Sequence, residues 1–301
     1  MVIAQQNVEQ ESKVWRRKDL LPMDDYEFRQ WVELLAKRTG LYLPENRKTF
    51  LLTSLNIRMR ELGFKHYRDY FDYVVSGRRG AVEWEILIDR LTVHETRFFR
   101  DKDALEMIRS SFLPPLLQQA ETLRVNAWSV GCATGEEPYS LAMLLDYELA
   151  QAQRDYYLSI TATDISRASL AAGRAGVYHN NRLKGMPDIY RRLYCEVVDE
   201  DHSKVVAPIR KRVCFSRLNL LNIEQAKVGL MDIIFCQNVL IYFKREHRLH
   251  FLNVLANHLR PGGIMVLGAG EITEWRNPVM EDVNYPGILA FRRIDNTGSW
   301  V

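Results

Sequence analysis

The chain has 301 residues, 47% of them hydrophobic and 26% charged, and its net charge is +3. This bulk suits one large domain or two modest ones, and the small net charge gives no argument for nucleic-acid binding. No run of about 18 apolar residues predicts a membrane span, and the first residues do not resemble a secretory signal. We therefore expect a cytoplasmic protein without membrane insertion. The four cysteines lack metal-finger spacing, so we expect them to be reduced and expect no metal site.

The first third of the chain divides into a tail and a helical region. Residues 1–22 are polar and aperiodic, which predicts a variable, disordered tail. Between 23 and 93, apolar residues at helical spacing predict an all-helical domain of four helices. Its first helix opens with two aspartates and ends at Gly40.

The second predicted helix runs from about Glu45 to Leu62 and has a basic side. The residues on that side are Arg47, Lys48, Arg58 and Arg60. Such a side is either an ordinary solvated face or a docking surface for an acidic partner helix.

A chemically rich segment, LTVHETRFFRD at residues 91–101, joins the helical domain to the rest of the chain. Its polar side chains are interleaved with two adjacent phenylalanines, whereas linkers are usually small and polar. This composition predicts a functional site at the boundary between the two domains.

The stretch from Arg124 to Leu145 predicts a strand, a tight glycine loop and a helix. Gly131 and Gly135 can adopt backbone angles that other residues avoid, and Pro138 suits the first turn of a helix. This unit is the nucleotide-binding corner of a doubly wound sheet.

The acids at this corner indicate which ligand it holds. A phosphate loop needs Lys followed by Ser or Thr, but Glu136 and Glu137 stand there, and they would repel a phosphate and suit a cation. About 30 residues later a second strand ends at Asp164, where a carboxylate typically binds ribose hydroxyls. An adenosine ligand with a positive centre and no phosphate is S-adenosylmethionine. The alternative is that all three acids only cap helices.

The rest of the chain continues the alternation of strands and helices, with one interruption. Residues 177–212 depart from the βαβ pattern and predict a small antiparallel β insertion. Buried strands at 213–216, 231–236 and 264–267, with a last strand at 288–291, indicate a mostly parallel sheet covered on both faces.

Five motifs after the helical domain, in order, together resemble the CheR-type chemoreceptor glutamate methyltransferases over residues 24–295. They are LTxxxTxFFR, GxxTGEEPYS, ATDI, the Asn-Leu pair at 219–220 and FCxNVxIYF. The resemblance implies an α/β fold, the doubly wound sheet of class I S-adenosylmethionine-dependent methyltransferases. It also implies an N-terminal all-helical domain at 23–93 and a cofactor-binding domain at 94–301 that contains the insertion.

The same resemblance implies an activity and a partner. The protein would transfer a methyl group from S-adenosylmethionine to glutamate carboxylates of a chemoreceptor's cytoplasmic helical bundle. The products would be glutamate methyl esters and S-adenosylhomocysteine, made during chemosensory adaptation. We expect a monomer whose four basic residues on the second helix meet the acidic receptor.

Individual site residues also follow from the resemblance. Thr96 and Arg100 would reach the methionine end of the cofactor or the reacting centre, and Glu137 would contact the cofactor. The remaining cofactor contacts would be Asp164 on the ribose, Asn219 and Leu220 beside the adenine, and Asn238 along the pocket. Tyr242 would face the transferred methyl group, so Arg100 and Tyr242 are the catalytic candidates.

Three positions depart from the family pattern. His94 replaces the usual asparagine and Gln237 the usual arginine, and both remain cofactor-binding candidates whose contacts are altered. The turn at 198–202 is acidic and lacks the glycines of members that bind a receptor's tether peptide, so we expect no tether docking. The alternatives are a methyltransferase for another substrate, such as RNA or a small molecule, and a catalytically silent cofactor-binding regulator.

Overall fold

The computed structural model describes residues 22–92, 95–118 and 123–294 of the chain. The predicted tail, apart from its last residue, lies outside the described residues, and so does His94.

Four helices form the N-terminal part: α1 (Asp25–Thr39), α2 (Lys48–Leu62), α3 (Tyr67–Val75) and α4 (Gly77–Leu91). The first begins at a capping box and ends at Gly40, whose φ of 75° suits a residue without a side chain. Both of its predicted ends are thereby confirmed. Large buried side chains, such as Trp31 and Tyr70, fill the space between these helices.

Three short helical segments lead to the main sheet: α5 (Lys102–Met107), a π-helical turn (Ile108–Phe112) and α6 (Leu113–Leu117). The sheet then begins with β1 (Leu123–Val130), followed by α7 (Glu136–Gln151), β2 (Tyr156–Asp164) and α8 (Arg167–Ala175). After the insertion come β6 (Val213–Arg217), β7 (Met231–Cys236), α11 (Arg245–Asn257), β8 (Leu259–Leu267), β9 (Met280–Asp282) and β10 (Leu289–Arg293).

The seven-stranded sheet has the order β6-β2-β1-β7-β8-β10-β9. Its first five strands pair in parallel, and β10 pairs antiparallel with both β8 and β9. Apolar cores lie on its two faces, one including Leu141 of α7 and the other Phe251 of α11. The predicted mostly parallel sheet with two covered faces is confirmed.

The insertion contains a second sheet, formed by β3 (Val177–His179), β4 (Cys195–Val197) and β5 (His202–Val205), with helices α9 (Asp188–Tyr194) and α10 (Ala207–Arg212). Its order is β3-β5-β4 and both pairs are antiparallel, as predicted. The sequence did not predict β3 or the two helices.

The helical part packs against the carboxyl ends of the parallel strands. Its Arg38 carbonyl accepts a hydrogen bond from the Asn219 side chain at 2.7 Å. Glu85 of α4 pairs with Arg217 at 2.7 Å and with Arg167 at 3.2 Å. These contacts set the walls of a cleft at the end of the sheet where ligands bind in such folds. In the described part of the chain, every helix is too short or too polar to cross a bilayer.

Candidate functional site

The glycine loop after β1 forms the floor of the site. Gly131 has a φ of 72° and Gly135 a φ of 97°, and both angles favour glycine. A Cβ at Gly131 would lie 2.3 Å from a methyl carbon of Val239, so the absence of a side chain lets two loops approach closely. The N–H groups of Gly131 and Cys132 both donate to the Thr163 carbonyl, which ties this loop to the end of β2.

Two adjoining clefts open at this floor. The first, about 910 Å³ with its solvent-open mouth, lies between the helical part and the strand ends. The second, about 570 Å³ on the same basis, lies under residues 95–101. Gly131, Ala133 and Asn238 line both.

The structure brings most of the predicted site residues into these clefts. The first cleft is lined by Asp164, Asn219, Leu220, Asn238, Tyr242 and Arg47. The second is lined by Thr96, Arg100, Glu137, Gln237 and Asn238.

Asp164 is held by the backbone at the end of β2. Its Oδ2 accepts the Ala133 N–H and its Oδ1 accepts the Ser166 N–H, both at 2.9 Å. These two hydrogen bonds fix the carboxylate in position at the wall of the first cleft.

Asn219 shapes the wall of the first cleft. Its Oδ1 accepts the Leu221 N–H at 3.1 Å, while its Nδ2 donates to the helical part. Leu220 is buried beside it and supplies apolar surface to the cleft.

The two glutamates of the loop have different roles. Glu136 is fully buried, and its carboxylate accepts hydrogen bonds from Arg182 at 2.5 Å and from the Thr134 hydroxyl at 2.6 Å. Arg182 belongs to the insertion, so Glu136 is neutralised there and does not contribute a charge to the cleft. The expectation that both glutamates face a cationic ligand is therefore wrong for Glu136.

Glu137 does line the second cleft, and its Oε1 accepts the Ser129 hydroxyl at 2.7 Å. Burial raises the pKa of this carboxyl to about 8, against the opposing effects of the Ser129 hydrogen bond and the Arg100 charge. Asp101 and Glu271 nearby raise it further. This part of the cleft therefore favours a cationic group.

Arg100 is exposed at the rim of the second cleft, and its Nη1 donates to the Glu95 carbonyl at 2.7 Å. Thr96 lies beside it and is half-buried. Gln237 is buried and donates from Nε2 to Asp101 at 2.7 Å. Gln237 thus holds an acid of the cleft wall through a neutral amide.

Asn238 lies where the two clefts meet, and its φ of 59° is left-handed. Tyr242 follows on the same loop and is half-buried. The guanidinium carbon of Arg47 lies 5.4 Å from the centre of the Tyr242 ring, a cation–π distance.

The four basic residues predicted to meet the receptor, Arg47 just before α2 and three on α2, do not form one exposed surface. Arg58 is buried, donates to Glu83 at 2.6 and 2.8 Å, and also pairs with Glu61. Its prediction as a partner-binding residue is wrong, because the charge is already compensated inside the helical part. Lys48 pairs with Asp25 at 2.9 Å, Arg60 is half-exposed, and Arg47 lies in the first cleft.

Sequence reasoning missed Glu271, which is fully buried after β8. Its Oε1 accepts the Val239 N–H at 2.9 Å. The signal was an acid shortly after a buried strand, in GAGE at 268–271, the same pattern that identified Asp164. It was not recognised because its partners are backbone groups some 30 residues away.

Comparison with known proteins identifies the family of this chain. The family model described as "CheR methyltransferase, SAM binding domain" matches residues 94–285, and "CheR methyltransferase, all-alpha domain" matches residues 26–92. A chemotaxis protein methyltransferase of Vibrio parahaemolyticus is 32% identical over 272 residues, which cover 89% of this chain and 98% of the relative.

Two further relatives are similar over most of their length. Chemotaxis protein methyltransferase 1 of Pseudomonas aeruginosa is 34% identical over 240 residues, 79% of this chain and 86% of the relative. A chemotaxis protein methyltransferase of Borreliella burgdorferi is 28% identical over 248 residues, 81% of this chain and 87% of the relative. The chain therefore belongs to the CheR methyltransferase family, and its cofactor is S-adenosylmethionine.

Proposed function

We propose that this protein methylates glutamate side chains in the cytoplasmic helical bundle of a chemoreceptor and forms glutamate methyl esters. One observation carries the proposal: an apolar cleft and an acidic cleft meet at Asn238, at the ends of the parallel strands. The names of the relatives, chemotaxis protein methyltransferases, support the choice of substrate.

The residues present fit S-adenosylmethionine. The first cleft offers apolar surface at Leu220 for an adenine and the Asp164 carboxylate for ribose hydroxyls. The second offers Glu137 for the ammonium group of the methionine end and Arg100 for its carboxylate. We assign Thr96, Gln237 and Asn238 to the wall around that end, and Asn219 to the adenine side.

When bound, the cofactor supplies an electrophilic methyl group on a sulfonium. The acceptor needs no general base, because an exposed glutamate titrates near ~4.3 and is ionised at neutral pH. The protein's contribution is to align the acceptor oxygen with the methyl group and to exclude water. Tyr242 and Asn238 lie where that alignment takes place, and Arg47 places a positive charge at the mouth to attract the carboxylate. S-adenosylhomocysteine is the second product.

The proposal includes the organisation of the chain. Residues 23–93 would present the receptor, and 94–301 would bind the cofactor, in a cytoplasmic monomer. Tether docking is not part of the proposed function, because the acidic turn at 198–202 lacks glycine and has backbone N–H groups that are bonded within the turn. There Asp199 accepts the N–H groups of Asp201 and His202 at 2.9 and 2.8 Å. Tight binding of a receptor tether peptide in a calorimeter would contradict that part.

The activity is tested with methyl-labelled S-adenosylmethionine and a receptor cytoplasmic fragment. We expect label on the receptor that is lost in mild base, as an ester is. Base-stable label would indicate another acceptor atom. Binding of S-adenosylhomocysteine without any receptor label would indicate a silent regulator, and either result would refute the proposal.

A further inference from the structure

The loop at residues 238–243 carries both Asn238 and Tyr242, and two polar side chains outside the loop, buried Glu271 and half-buried Arg248, form hydrogen bonds with its backbone. We propose that Glu271 and Arg248 are positioning residues that fix this loop in the shape needed for methyl transfer. The inference rests on the proposed function for its effect on turnover, but its structural part can be tested without a receptor.

Glu271 holds the first half of the loop through the backbone N–H of Val239. It is fully buried, and its Oε1 accepts the Val239 N–H at 2.9 Å. The N–H groups of Asn238, Leu240 and Ile241 also lower the pKa of this carboxyl, against burial, which raises it to about 7. The Glu271 carboxyl group thus faces the N–H side of this turn and forms one hydrogen bond there, to Val239.

Arg248 of α11 holds the second half through its carbonyl groups. Its Nε donates to the Phe243 carbonyl at 2.7 Å, and its Nη2 donates to the Ile241 carbonyl at 3.2 Å. Its Nη1 donates to the backbone carbonyl of Glu271 at 3.2 Å, which joins the two supports. A guanidinium only donates hydrogen bonds, so it complements the carboxylate on the other side of the loop.

The loop needs such support because its own conformation is unfavourable. Asn238 has a left-handed backbone conformation. The Val239 side chain occupies the space next to Gly131 that a Cβ at that position would need. A turn of this kind keeps its shape only when its surroundings determine it. Because Asn238 and Tyr242 are at the two sides of the loop, a small shift moves both relative to the cofactor.

The chain offers a matched control pair on the same two elements. Arg245 begins the same helix as Arg248, and Glu274 lies three residues after Glu271. These two are exposed and lie 3.8 Å apart, away from the loop carbonyls and N–H groups. Arg245→Lys and Glu274→Gln therefore make the same chemical changes without touching the loop.

The experiment compares Glu271→Gln and Arg248→Lys with these controls by hydrogen exchange, by binding of S-adenosylhomocysteine and by receptor methylation. We expect faster exchange at 238–243 in the two test variants, with exchange in β1 and β2 unchanged. We expect kcat to fall about 10- to 100-fold, the size of effect that misplacement by ~1 Å produces, with KM for the receptor little changed. The controls should behave as the wild type.

Each outcome decides the proposal. Unchanged exchange in the loop together with wild-type kcat in both test variants would overturn it. Faster exchange throughout the protein would mean general destabilisation and would also overturn it, unless Glu271→Asp, which keeps both carboxylate oxygens, restores the wild-type pattern. If Glu271→Gln does not fold, Arg248→Lys decides by the same criteria. Absence of methylation by the wild type would refute the proposed function alone, because loop exchange and cofactor-product binding still report on the loop.

Discussion

The backbone N–H of Tyr42 donates a hydrogen bond of 2.8 Å to the carbonyl oxygen of Tyr242. An adjacent antiparallel bridge pairs Leu41 with Phe243. The helical part is thus bonded directly to the loop that carries the proposed catalytic tyrosine. A receptor that docks on the helical part would therefore contact a domain that is hydrogen-bonded to the proposed reaction site.

The hydrogen bond from Tyr42 to Tyr242 can be tested with two substitutions at Tyr42 that both remove the ring. Tyr42→Pro also deletes the backbone N–H, whereas Tyr42→Ala keeps it. We expect the proline variant to have a several-fold lower kcat than the alanine variant, because a lost hydrogen bond of about 1 kcal/mol loosens Tyr242. Equal kcat values in a receptor methylation assay would contradict the proposed link.

Arg100→Ala should nearly abolish turnover and leave the fold intact. The side chain is exposed, so its loss creates no cavity, but it removes the cation proposed to bind the carboxylate at the methionine end of the cofactor. We expect at least a ~100-fold loss of kcat/KM with an unchanged melting temperature. Wild-type-like methylation by this variant would refute the catalytic role of Arg100.

The stability of the cofactor-free protein should depend on pH through Glu137. Its pKa is raised from 4.5 to about 8, so the folded cofactor-free protein binds a proton over a range in which the unfolded chain does not. The associated stability is present below pH 4.5 and is lost as the pH rises through 8. The melting temperature of the wild type should therefore fall over this window more steeply than that of Glu137→Gln.

Cofactor-product binding should show the opposite trend. The ammonium of S-adenosylhomocysteine prefers the ionised Glu137, so affinity should rise toward pH 8, by at most about tenfold per pH unit. Glu271 also titrates, near pH 7, but it remains in Glu137→Gln. Calorimetry on both proteins isolates the contribution of Glu137, and identical pH profiles would contradict its assignment.

Glu83 should be important for the stability of the helical part. It is 3% exposed and accepts from Arg58 and from the Tyr70 hydroxyl, at 2.6 Å in each case to its nearest atom. Glu83→Ala leaves a guanidinium buried without its main partner, which costs about 3–5 kcal/mol. Chemical denaturation measures this loss, and a cost below about 1 kcal/mol would show that the pair is solvated.

Arg47 is the basic residue that we still expect to act on the receptor. Arg47→Glu should raise KM for the receptor fragment and reduce its salt dependence, because the positive charge at the mouth is reversed. Arg79→Glu makes the same charge change at an exposed site on α4 and serves as the control. If both variants have the wild-type KM at low salt, the mouth does not steer the acceptor.

Local patterns predicted the fold well, because strand, loop and helix signals are written in neighbouring residues. Gly131, Asp164 and Asn238 each follow a predicted strand, and in the structure they lie at one edge of the sheet because the ends of parallel strands meet there. Arg58 and Glu136 were misread because their partners, Glu83 and Arg182, lie 25 and 46 positions away. From the sequence alone, a charged residue on a helix is taken to be exposed to solvent, because its distant counter-ion is not known. The three-residue strand β3 was missed because it is too short for an alternating pattern.

The ion pair between Arg182 and Glu136 ties the insertion to the glycine loop after β1. The Tyr178 hydroxyl adds a second tie, to the Thr134 carbonyl at 2.7 Å. Deleting the insertion would leave the buried Glu136 carboxylate without Arg182, in the loop that is proposed to bind the adenosine. A protein shortened in this way should therefore bind S-adenosylhomocysteine more weakly, and a replacement insertion should restore binding only if it supplies its own cation to Glu136.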